Sequence, residues 1–103
     1  MVDAAKIRRE SLRWLILLTL NNARPIGAFE GPILAVAQSE YPDATALEMR
    51  RELDYLDDRK LVEVEKRPDG RWFCGLTRYG VDLAEYTVAC EPGIARPEKY
   101  WSE

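Results

Sequence analysis

Two neighbouring stretches of this chain have different hydrophobic periods, and the change between them restricts the fold more than any other feature. From Thr45 the apolar residues Ala46, Met49, Leu53 and Leu56 recur three or four positions apart, the spacing of one face of an α-helix. Thr45-Ala46-Leu47-Glu48 heads that stretch as a Thr-x-x-Glu capping box. Its hydroxyl can accept from the amide of residue 48 while its carboxylate reaches back to the amide of residue 45. A few residues later Leu61-Val62-Glu63-Val64-Glu65-Lys66 alternates with period two, Pro68-Asp69-Gly70 marks a turn, and Arg71-Trp72-Phe73-Cys74-Gly75-Leu76 is a second extended run. The pattern predicts a helix over about Ala46–Arg59 leading directly into a two-stranded hairpin. A hairpin this short cannot stand alone in water, so it must lean on helices.

Three more helices are predicted. Residues from about Ala5 to Asn21 form the first, with Leu12, Leu15, Ile16 and Thr19 on one stripe. Trp14, Leu17 and Leu18 lie off that stripe and make the last two turns apolar almost all round. A second cover is therefore needed, either a C-terminal helix of the same chain or a second subunit. Asn21-Asn22 end this helix, and Arg24-Pro25-Ile26-Gly27 reads as a short extended or turn segment. The second helix runs from about Phe29 to Glu40, with Pro32 tolerated in its first turn, and Tyr41-Pro42-Asp43 breaks it. Thr77 is placed as the N-cap of a fourth helix reaching about Ala89, with Leu76 and Val81 as a hydrophobic staple and Val81, Ala84 and Val88 on its apolar stripe.

At 103 residues this is one domain, spanning residues 1–91, followed by an irregular Pro- and aromatic-containing tail at 92–103. The longest apolar run, Trp14–Leu18, has five residues, far short of the roughly 18 to 20 needed to cross a bilayer, so no membrane partner is expected. The N-terminus lacks signal-peptide character, and a cytoplasmic location is the expectation. Cys74 and Cys90, with no CxxC pair and no histidine in the chain, read as reduced thiols, and neither a metal site nor a cofactor is expected. The same lack of histidine, with no nucleophile motif and no glycine-rich phosphate loop, argues against an enzyme.

The order helix, extended segment, helix, turn, helix, hairpin, helix resembles a winged helix-turn-helix domain. Leu53-x-x-Leu56-x-x-x-x-Leu61-Val62 followed by Leu76-Thr77-x-x-Gly80-x-x-Leu83 is similar to the recognition helix, wing and closing helix of bacterial regulators of the MarR, PadR and ArsR kind. Thr45-x-x-x-Met49-Arg50-x-x-Leu53-x-Tyr55-Leu56 and the tail Pro92-Gly93-Ile94-x-Arg96-Pro97 resemble small winged-helix proteins of Mu-like phages and prophages. The resemblance implies a mainly α fold with a β-hairpin wing and double-stranded DNA as a partner.

Charge complicates that expectation. The chain has 15 basic and 18 acidic residues, a net charge of −3, where a nucleic-acid binder usually carries a basic footprint. From Thr45 to Lys60 there are four basic and five acidic residues; from Arg59 to Arg71 there are five basic and three acidic. With Ala46, Met49, Leu53 and Leu56 turned inward, the third helix presents Ala44, Leu47, Glu48, Arg51, Tyr55 and Asp58. The candidate DNA contacts are Thr45, Arg50 and Arg51 at the groove, with Lys66, Arg67 and Arg71 of the wing on phosphates. Charged hairpin tips are also ordinary solvated surface, and Glu48, Glu52, Asp54, Asp57 and Asp58 oppose DNA. The alternative is a protein-interaction module presenting Trp14, Leu18, Leu47, Tyr55 and Trp101. A homodimer through the first and fourth helices is expected with the DNA-binding reading.

Overall fold

The computed structural model describes residues 2–99, and Trp101 lies outside the described residues. Four helices and three strands follow in the order α1 (Ala4–Asn22), β1 (Ala28–Phe29), α2 (Glu30–Glu40), α3 (Ala46–Asp58), β2 (Val62–Lys66), β3 (Trp72–Leu76) and α4 (Arg78–Ala84). The architecture is mainly helical with a small antiparallel sheet, compatible with a winged-helix arrangement.

Alternation makes β2 and β3, which pair from Val62↔Leu76 to Lys66↔Trp72. Gly70 closes the hairpin at φ +90°, a conformation that costs a glycine nothing. The hairpin does not end the sheet, as the sequence pattern implied: β1 adds a third strand on the other side of β3, with Ala28↔Cys74 and Phe29↔Phe73 in register. Gly27 permits this pairing. At its φ of +96° an added Cβ would stand 2.5 Å from the Cys74 carbonyl oxygen, so the loop can approach β3 this closely only without a side chain.

The core collects Leu12, Ile16, Leu17 and Leu20 of α1, Ile33 and Ala37 of α2, and Met49, Leu53 and Leu56 of α3. Leu61, Val62, Cys74 and Leu83 close it from the sheet and α4. Ala44, expected to face outward, is buried, while Ala46, expected inward, is exposed, because the chain enters α3 from the α2 side and its first turn overhangs solvent. Helix α3 ends in a Schellman motif: the Leu61 amide donates to the Leu56 carbonyl at 3.0 Å and the Lys60 amide to that of Asp57 at 3.0 Å, with Lys60 left-handed at φ 65°. Leu56 and Leu61, the hydrophobic pair of that motif, are both fully buried.

Helix α4 stops at Ala84, well short of Ala89. Tyr86, at φ 65°, ends it in the same way, with the Thr87 amide donating to the Asp82 carbonyl at 2.8 Å. Its ring is held by tertiary contacts, edge-on to Trp14 with centroids 6.1 Å apart and beneath the Arg96 guanidinium at 4.4 Å. Trp14 is therefore buried inside the chain and is not part of an exposed partner surface; Leu18 is half-buried against the core. The segment after α4 returns across α1. Ile94 is buried, the Ala95 amide donates to the Glu10 carbonyl at 3.1 Å, and Arg96 donates to the carbonyls of Leu83 and Val88 at 2.9 Å each. The second cover that α1 requires thus comes from its own chain.

Candidate nucleic-acid interface

The N-cap of α3 forms as half of a capping box. The Thr45 hydroxyl accepts from the Glu48 amide at 3.2 Å, but the Glu48 carboxylate does not turn back to residue 45. It accepts instead from Arg8 of α1, at 2.8 and 2.9 Å, and the same arginine pairs with Asp43 at 2.9 Å. Those carboxylates hold the Arg8 pKa above its ordinary value. One turn on, Arg13 Nε donates to Glu52 at 2.7 Å and Nη1 to the Gly93 carbonyl at 2.9 Å, while the guanidinium lies 3.5 Å from the centre of the Tyr55 ring. Arg59 covers the same ring at 4.6 Å, which leaves Tyr55 half-buried between two arginines.

Two of the five acidic residues expected to oppose DNA are therefore neutralised by α1. In return, Arg8 and Arg13 are committed to those carboxylates. What α3 presents outward is Thr45, Leu47 at 60% exposure, and Arg51, with Asp54, Asp57 and Asp58 further along. Arg51 is exposed and makes no ion pair among the described residues.

The hairpin cations stand on aromatic supports. Phe29 of β1 and Phe73 of β3 meet edge to face at 4.9 Å; Arg67 lies over both rings at 4.9 and 5.0 Å, and Arg71 over Phe29 at 4.4 Å. Lys66 sits 4.5 Å from the Trp72 ring. Each cation also has an acidic neighbour: Lys66 with Asp54 at 3.5 Å, Arg67 with Glu65 at 3.3 Å, Arg71 with Asp69 at 2.9 Å. The Arg71 backbone amide and guanidinium together hold the Asp69 pKa below the ordinary carboxylate range. These pairs are open to water and worth little, so a phosphate oxygen can replace each carboxylate at small cost.

This fold has a solved counterpart. A crystal structure of a candidate DNA-binding protein from Ralstonia eutropha JMP134 is similar to the chain with a TM-score of 0.64 and 24% sequence identity, over 86% of this chain and all of the other. No protein-family model and no curated protein sequence matches the chain. The likeness carries the fold.

Arg50, expected at the groove, points to the side. Its guanidinium grips both carboxylate oxygens of Glu30, at 2.6 and 2.5 Å, and donates to the Gly70 carbonyl at 2.7 Å. Sequence reasoning missed Glu30 and Trp72, the two residues that surround it, because nothing local marks a pairing across 20 positions. Among the described residues no helix is long and apolar enough to cross a membrane, and no group of three or more His, Cys, Asp or Glu could hold a metal ion.

Proposed function

We propose that this chain is a winged-helix DNA-binding protein, a regulator or accessory factor that sets α3 against the major groove and lays the β2–β3 wing along the phosphate backbone. The observation that carries the reading is Lys66 of the hairpin standing 3.5 Å from Asp54 of α3, the helix whose N-terminal half exposes Thr45 and Arg51, with Arg67 and Arg71 near the hairpin tip over Phe29 and Phe73. The description of the structural neighbour supports the same partner. With one arginine positioned for base edges and three cations for phosphates, binding is dominated by the backbone and only weakly selective in sequence.

Fluorescence anisotropy on random-sequence duplex DNA tests this. Three phosphate contacts give a salt slope of about −2.7, so affinity falls about fortyfold between roughly 50 and 200 mM salt. Changing Lys66, Arg67 and Arg71 together to alanine removes most of both affinity and slope. Absence of binding at low salt refutes the reading. A protein-interaction module is then favoured by one observation, the exposed Leu47 on a helix that also carries Asp54, Asp57 and Asp58. Light scattering on the same samples reports whether a dimer forms.

A further inference from the structure

The wing tip is tied back to the helices at two places of unequal quality. Lys66 and Asp54 approach to 3.5 Å with both side chains 55% exposed, a contact that solvent screens. The other tie is the Arg50 fork. It reaches Glu30 at the start of α2 and the Gly70 carbonyl in the hairpin turn, and its guanidinium stacks 4.6 Å from the centre of the Trp72 ring at the start of β3. Glu30 in turn accepts from the Trp72 backbone amide at 3.2 Å. One ion pair thus joins the first turn of α2, the outer flank of α3, the wing turn and the base of β3. A planar fork can bind a carboxylate with two parallel bonds and a carbonyl with a third hydrogen, which a lysine ammonium cannot do in this geometry.

We propose that the Glu30–Arg50 pair is a latch that fixes the angle between α3 and the wing, making Arg50 a positioning residue that acts on DNA through the wing. The inference rests on the DNA-binding reading for its consequence and on geometry alone for the latch itself. Two contact surfaces held at a set angle meet a rigid duplex without an ordering cost at the moment of binding; a hinged wing must be immobilised first, and affinity falls accordingly. In this arrangement an arginine already committed to Glu30 and Gly70 contributes by what it holds in place.

Backbone 15N relaxation on the free protein tests the latch without any DNA. Order parameters at Asp69, Gly70 and Arg71 are expected near 0.85, as for rigid backbone, and below about 0.6 in Arg50→Ala, with Leu53 and Leu83 unchanged. Glu30→Gln, which keeps the shape and removes the charge, gives the same loosening should Arg50→Ala fail to fold, and Arg50→Lys falls between. An unchanged tip in a folded variant overturns the latch. On duplex DNA, Arg50→Ala weakens binding about tenfold in the native background and has no further effect once Lys66, Arg67 and Arg71 are alanine. A direct contact would add its own loss in both backgrounds, and that result overturns the positioning role. A loosened tip in a protein that binds no duplex at all supports the latch and refutes the functional reading.

Discussion

Replacing Glu52 by glutamine takes the charge from a carboxylate that is buried against α1 and leaves an arginine beneath the surface without its counter-ion. Arg13 Nε and Glu52 Oε1 stand 2.7 Å apart, with side chains 11% and 5% exposed. Breaking a buried pair by removing one partner costs about 3–5 kcal/mol, because the surviving charge stays desolvated. Arg13 keeps its bond to Gly93 and its stacking on Tyr55, which places the cost at the lower end, about 3 kcal/mol. For a domain of this size each kcal/mol moves the melting midpoint about 4–8 °C, so Glu52→Gln should melt about 12–24 °C lower by far-UV circular dichroism. Asp54→Asn is the control: its pair with Lys66 is half exposed on both sides, and the change should stay within about 0.5 kcal/mol of the parent. Arg13→Met combined with Glu52→Leu should recover most of the loss, since apolar groups of similar volume need no counter-ion. A Glu52→Gln midpoint within a few degrees of Asp54→Asn would refute the reasoning and mean that water reaches the pair.

Three further outcomes are expected. Lys60→Gly relieves a left-handed residue at the α3 C-terminus and should raise stability by about 1 kcal/mol in urea unfolding. The fork of Arg50, assisted by the Trp72 amide, holds the Glu30 carboxyl below its ordinary value of 4.5. The unfolded chain therefore takes up that proton first: the pair's contribution is complete above the ordinary value and is lost as pH falls through the lower folded one. Urea midpoints should drop less between pH 6 and pH 3 in Glu30→Gln than in the parent. Burial pushes the Cys74 thiol up to about 12, with Glu30 and Asp57 adding to the shift, so a thiol reagent at neutral pH should label it only after unfolding.

The parts of the fold that were legible in the sequence are those whose signals are local. The Thr45 cap, the Met49, Leu53 and Leu56 stripe and the alternation from Leu61 to Leu76 all act within a few residues, and the structure follows each. Strand β1 left no such trace, because two residues are too few to show a period and their pairing depends on Gly27 meeting the Cys74 carbonyl. The end of α4 was misplaced for a related reason. Val81, Ala84 and Val88 keep helical spacing, but Tyr86 is drawn onto Trp14 and Arg96 and turns the chain there.

Charge shows the division most clearly. Counting by segment made the third helix negative, yet Arg8 meets Glu48 and Arg13 meets Glu52 across about 40 positions, so two of its acidic charges are cancelled from another segment. The sequence by itself determined which stretches are helix and hairpin and which faces are apolar, since propensity, capping and periodicity act between near neighbours. Only the tertiary structure decided which cations remain available and which become braces. An ion pair depends on distance in space, and the core that brings α1, α2, α3 and the hairpin together sets those distances.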